Sequence, residues 1–190
     1  MVEWGDMSVA GRLLVATPPM NDPNFERSVI YMVRHDEDGA FGLVISFATE
    51  VATIEGDNSI NEWVARATAP CEFFEGGPVQ RDQLLGIARF ADETPRDWAS
   101  DVGHGIHTVD LNSDPANALD CARLRIFVGY SGWGPGQLDG EIAAAHWFVV
   151  DSRPDDPFDA HPDTLWRRVL ERDPLHRDWV RNFPDDPEMN

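Results

Sequence analysis

A chain of 190 residues with 42% apolar content suits one globular domain, and its net charge of −19 sets it against nucleic-acid phosphate and anionic lipid surfaces. All fifteen basic residues are arginine, which excludes a Walker-type phosphate lysine, a Schiff-base nucleophile and a pyridoxal-phosphate anchor. No apolar run approaches the roughly 20 residues that span a bilayer, and "MVEWGDMSVA" lacks the basic and apolar regions of a signal peptide, so a cytoplasmic protein with no membrane partner is expected.

"RLLVATP" from Arg12 predicts a first strand, stopped by the turn-rich "PPMNDP". "SVIYMVRH" and "AFGLVIS" flank "DEDG" and predict a hairpin of residues 28–35 with 40–46. The acidic turn lacks the spaced oxygens and distant Glu of a calcium loop, so no metal is assigned to it. "SINEWVARATA" places Ile60, Trp63, Val64 and Ala67 at helical spacing after a cap at Ser59, with Glu62 at the capping-box position. "CEFF" reads as a strand turned by "EGGPV", with "LLGIARF" from Leu84 following at hairpin distance as its neighbour.

"ADETPRDWAS" interrupts, "HGIHTVDL" returns to alternation, and "SDPANALDCA" predicts a helix capped by Ser113 with Pro115 in its first turn. "RLRIFVGY" predicts a strong strand running into the glycine stretch, which reads as a strand-to-helix joint ahead of a helix over 137–145. "HWFVVD" is a last strand, and residues 164–172 form a C-terminal helix. Cys71 and Cys121 stand alone, without metal-site or disulfide spacing, and read as small buried apolar residues. This irregular mixture favours an α+β fold with a largely antiparallel sheet over a regular dinucleotide-binding alternation.

The stretch "GYSGWGPGQLDGEI", residues 129–142, carries most of the chemical interest. It is out of frame for a dinucleotide fingerprint, it lacks a P-loop lysine, and Trp133 and Pro135 crowd the backbone where a pyrophosphate would approach. A nucleophile elbow would require glycine at position 133, where Trp133 stands. Ser131 would need a base from His35, His104, His107 or His146 to act as a nucleophile, whereas a turn serine that bonds backbone is the simpler reading. Glu141 lies one helical turn after Gln137 and admits three roles: general base, ligand acceptor, or a charge favoured near a helix start. The histidines of "HGIH", His104 and His107, would point to opposite faces of a strand, and no metal is assigned there either.

Taken in order, "GRLLVATPPMNDPNFERSVIYMVRHDEDGAFGLVIS", "GGPV" and "GYSGWGPGQLDGEI" followed by "HWFV" resemble the bacterial AlgH/YqgE family across residues 11–150. The resemblance implies a bifurcated sheet folded into a partial barrel and flanked by helices. It carries the label of putative transcriptional regulator without a recognisable DNA-binding element, and no cofactor. Ser46, Phe47 and Ala48 depart from the Asn and Pro that often continue the second hairpin strand in the family, so no ligand role is carried to that loop.

The expected organisation is an N-terminal extension at 1–10, a single domain over 11–182 and a frayed acidic tail at 183–190. The expected function is non-catalytic: recognition of a small molecule or protein partner by a groove of Tyr130, Ser131, Trp133, Gln137 and Glu141. Asp22, Arg27, Ser28, Gly76 and Gly77 are expected as its neighbours. The competing expectation is a hydrolase or proton-transfer enzyme using Glu141 with Ser131 or a nearby histidine.

Overall fold

The computed structural model describes residues 8–49, 58–69 and 73–181. Cys71 and the tail at 183–190 therefore lie outside the described residues. In chain order the strands and helices are β1 (Leu13–Ala16), β2 (Val29–Asp36), β3 (Gly39–Val44), β4 (Ala48–Thr49), α1 (Asn58–Val64), β5 (Phe73–Glu75) and β6 (Val79–Phe90). They continue with β7 (Ala99–Asp101), β8 (His107–Val109), β9 (Cys121–Trp133), α2 (Gln137–Ala143), β10 (Trp147–Val150), α3 (Leu165–Arg172) and α4 (Arg177–Arg181). The fold is α+β: a mostly antiparallel sheet, curled into a half-barrel, with a few helices against it.

β1 is apolar at every position because both of its faces are covered. Leu13 and Val15 pack into one cluster with Phe127, Trp166 and Val169, while Leu14 and Ala16 pack into another with Trp133, Leu138 and Trp147. The first cluster is closed by α3, whose buried Leu165, Trp166, Val169 and Leu170 recur on one helical face. The Trp166 indole N–H donates to the Ala16 carbonyl at 2.8 Å, and Asp173 turns extended ahead of Pro174, which ends the helix. A third cluster, around Trp63, Leu124 and Ile126, lies beneath α1.

The trunk of the sheet is β9, and the sheet forks along it. Its residues 126–128 pair in parallel with β5, while residues 131–133 pair antiparallel with β3, which leads on through β2 and β1 to β10. The length of β9 follows from its pairing with β6, which reaches from Cys121 to Tyr130. The structure thus extends the predicted strand through "SGW", residues 131–133, and only residues 134–136 remain to turn the chain into α2.

The expected hairpin of "CEFF" with "LLGIARF" does not form, because β9 lies between those strands. The link Gly76–Gly77–Pro78 instead carries the chain across β9, and it does so by backbone contact. Gly77 has φ +148, and a Cβ there would overlap the Tyr130 carbonyl and the Ser131 hydroxyl. Gly129 has φ +67, and its Cβ would lie 2.7 Å from both the Gly77 and Val79 carbonyl oxygens. The Gly76 N–H donates to Val128 at 2.9 Å, and the Gly76 carbonyl accepts from the Val44 N–H at 3.0 Å and from the Ser131 hydroxyl at 3.2 Å.

Local signals are corrected at three further points. Ser59 falls inside α1 rather than before it, so it is not the cap. The helix expected after Ser113 is a single 3-10 turn, Pro115–Ala118, because β9 begins at Cys121. Its cap is Asp114, whose carboxylate accepts the Ala116 N–H at 2.9 Å, while the Ser113 hydroxyl donates to the Asp110 carbonyl at 2.6 Å. Cys121 is half-buried, and that burial pushes its thiol up to about 11.

Two tests follow from this packing. Gly77→Ala is expected to cost about 3 kcal/mol or more, since backbone and not a flexible side chain must give way, whereas Gly140→Ala, in open space on α2, is expected to gain about 0.5–1 kcal/mol. Urea denaturation of both variants measures the contrast. For Asp159, burial opposes the charge, but hydrogen bonds from Arg168 and the His161 N–H outweigh it and hold the carboxyl below its usual range. Its stabilisation is then present above about pH 4 and lost as pH falls through the lowered value. Asp159→Asn is accordingly expected to be less stable than the wild type at neutral pH and to converge with it in acid.

Candidate functional site

β9 ends at Trp133, residues 134–136 turn the chain, and α2 follows, packed against β3 and β10. A relay of hydrogen bonds fixes that turn. The Gly134 N–H donates to Gln137 Oε1 at 3.1 Å, and Gln137 Nε2 donates to Glu141 Oε1 at 3.0 Å, the i,i+4 reach of one helical turn. Glu141 Oε2 accepts the indole N–H of Trp133 at 2.8 Å and that of Trp147, the first residue of β10, at 2.9 Å. One carboxylate therefore joins the end of β9, the helix and the start of β10.

The two indoles meet edge to face, with ring centroids 6.2 Å apart and planes at 82°. Phe25 packs on both, 5.5 Å from Trp147 and 6.4 Å from Trp133. These are the separations at which aromatic quadrupoles attract. Phe25 arrives on the segment after β1, which is tied down at both ends. The Thr17 N–H donates to the His146 carbonyl at 3.1 Å and its hydroxyl to the Ala145 carbonyl at 3.0 Å. Asp22 accepts the Asn24 backbone N–H at 2.9 Å, closing an Asx turn.

Between this segment and α2 lies a cavity of about 660 Å³, lined by Met20, Asp22, Phe25, Trp133, Gln137, Glu141, His146 and Trp147 among others. The volume falls in the range of small-molecule sites. Among the described residues, Asp22 and Glu141 are its acids, and no arginine lines it. An anion is therefore disfavoured there, and a neutral or cationic group fits.

The expected site residues separate into five groups. Trp133, Gln137, Glu141 and Asp22 share this cavity. Ser131 is fully buried and outside the lining, its hydroxyl donating to the Gly76 carbonyl. Gly76 and Gly77 form the backbone crossing rather than a lining. Tyr130 lies on the opposite face of β9, edge to face with Phe41 at 5.0 Å, because neighbours on a strand point to opposite sides. Arg27 and Ser28 lie outside the lining: Arg27 sits 5.7 Å over the Trp166 ring, and Ser28 is buried at the entrance to β2.

The acid–base partners are dispersed in the same way. His146 lines the cavity and is exposed. His35 is buried elsewhere, with Nδ1 accepting the Val9 N–H at 3.2 Å and Nε2 lying 3.5 Å from Asp139. His107 packs on Phe90. Glu141 already accepts three N–H bonds, which leaves little acceptor capacity for a substrate proton. Met20, Phe25, His146 and Trp147 were not predicted as lining. They come from separate segments, and no local spacing joins them to the 129–142 stretch.

An AlgH-like family model matches residues 13–176. A UPF0301 protein of Streptomyces avermitilis is 42% identical over 191 residues, 96% of each chain. Another, from Streptomyces coelicolor, is 42% identical over 189 residues with the same shares. The crystal structure of a Corynebacterium diphtheriae protein superposes with TM-score 0.82 and 30% identity over 92% of each chain. The solution structure of the AlgH protein from Pseudomonas aeruginosa gives 0.69 at 24% identity, over 98% of this chain and 100% of that one, a likeness of fold.

Glu141→Gln tests the carboxylate relay. An amide oxygen can keep the two indoles, but its NH2 then faces Gln137 Nε2, donor against donor; turning the Gln137 amide to suit removes the acceptor of the Gly134 N–H. The expected cost is about 1–3 kcal/mol in urea denaturation, with shifted indole N–H resonances for Trp133 and Trp147. Unchanged stability and resonances would show that the relay carries no weight.

Proposed function

The chain belongs to the AlgH-like family, and from the chemistry of its α2 cavity we propose that it is a non-catalytic, cytoplasmic regulatory or accessory protein recognising a neutral or cationic small molecule. The observation that carries this reading is the Glu141 carboxylate, which commits three of its roughly four acceptor sites to holding Trp133, Trp147 and Gln137 in place. Pre-organised aromatic walls lower the ordering cost of binding and contribute area and orientation. A group committed to its own wall is suited to recognition more than to turnover.

The arrangement of the other groups supports the same reading. Ser131 serves the backbone crossing, and among the described residues no histidine is its hydrogen-bond partner. A chain of net charge −19 is suited neither to tracking DNA nor to lying on an anionic membrane. Among the described residues no helix is long and apolar enough to cross a membrane. We take residues 11–182 as a single domain, since α3 closes the same cluster that β1 opens.

Native mass spectrometry of the protein purified from a Streptomyces host is the test. A small-molecule adduct is expected on the wild type. It should be lost or weakened in Met20→Ala and Asp22→Ala, which alter the rim and leave the Glu141 relay intact. An adduct indifferent to both variants would place the ligand elsewhere, and a bare protein with unaltered physiological function in both variants would contradict the reading.

A further inference from the structure

The end of β9 has a second side. Beyond Gly132 and Trp133, inside the curl of the half-barrel, lies a cavity of about 750 Å³ whose lining includes Val33, Arg34, Phe41, Val102, Thr108 and Tyr130. Its floor is apolar: Val33, Phe41, Val102 and Tyr130 are partly buried side chains packed on the main core cluster. In a chain with 34 acidic residues, none of the described residues that line this cavity is acidic, and Arg34 is the one charged residue among them.

Arg34 is brought there by a defect in the sheet. Successive residues of a regular strand face opposite sides, so Val33 and Arg34 could not ordinarily line one cavity. The β2–β3 ladder shifts register between Met32 and Arg34, pairing Met32 with Gly42 and Arg34 with Phe41. Val33 is the extra residue of this bulge, and bulges re-aim side chains. The guanidinium is held from one side only, its Nε 3.4 Å from Asp36, which is not part of the lining. Among the described residues its terminal nitrogens have no hydrogen-bond partner, and neither does the Tyr130 hydroxyl.

We propose that this cavity is a second binding site and that its ligand is a small apolar monocarboxylate, with the carboxylate on the Arg34 fork and the hydrocarbon body over Val33, Phe41 and Tyr130. A planar fork matches one carboxylate in bidentate fashion. A phosphate ester of higher charge would be left under-neutralised by a single arginine in so acidic a protein. The long-range field of the remaining charge opposes an anion, but it is screened within about 8 Å at physiological ionic strength, and Asp36, held at Nε, leaves the two terminal nitrogens of Arg34 to meet the carboxylate. This site does not depend on the α2 cavity, and its failure would leave that reading standing.

Octanoate, octan-1-ol and octylammonium, added separately to the ¹⁵N-labelled protein, test the proposal by amide chemical-shift titration. Octanoate is expected to shift Phe41, Tyr130 and Gly132 and to bind about tenfold more tightly than octanol. Arg34→Gln, at an exposed side chain, is expected to remove that difference while leaving the spectrum folded. Octanol binding as tightly as octanoate, octylammonium binding more tightly, an Arg34→Gln variant that keeps the preference, or shifts confined to other residues would each overturn the proposal. So would the absence of any shift at ~10 mM octanoate, where even weak specific binding registers.

Discussion

Where the Gly76–Gly77 link passes over Gly129, two stretches of backbone touch with no side chain between them, and the course of the sheet depends on that contact. β5 and β6 lie on opposite edges of β9 because the chain can cross it there. With β5 ending at the crossing, the same edge of β9 is open beyond it to β3, and the sheet forks. A side chain at any of the three positions would separate the layers, since protein interiors transmit such strain instead of absorbing it. Ser131 belongs to this device: its hydroxyl secures the Gly76 carbonyl from below.

The crossing determines what β9 presents at its end. Beyond it, Tyr130 lines the inner cavity and Gly132 and Trp133 line both, so one short run of strand forms the wall between two cavities. Their chemistries differ. Among the described residues, the α2 cavity has aromatic walls, two carboxylates and no arginine, whereas the inner one has an apolar floor and a single guanidinium. The Glu141 carboxylate is the counterpart of the crossing on the α2 side: a charged acceptor shared by three N–H donors, stronger than neutral pairs and able to hold three chain segments in register.

Much of the sheet was legible in the sequence because apolar periodicity and turn chemistry are local. "SVIYMVRH" and "AFGLVIS" form their hairpin, and "HWFVVD" contains the last strand. The α+β class and the family resemblance stand on the same residues. Partnership was less legible. "EGGPV" reads as a turn in any local window, and only β9, about fifty residues later, makes it a crossing. "SGW" reads as part of a joint because glycines weaken a strand pattern, yet three pairings with β3 keep it extended. Tyr130 and Trp133 look like neighbours in the sequence and occupy opposite faces, while Phe25 and Trp147 look unrelated and share the Trp133 wall.

The central claim is that Glu141 locks the Trp133 and Trp147 indoles into a permanent wall. Hydrogen exchange of the two indole N–H groups in the wild-type protein, followed by NMR after transfer to heavy water, tests it most directly, with the chain's seven tryptophans assigned by single substitution. The claim predicts protection comparable to that of the β9 backbone amides, because release requires the clamp to open with the core around it. Exchange of either indole at the rate of a solvent-exposed tryptophan would contradict it, since the wall would then be forming and dissolving without the rest of the fold.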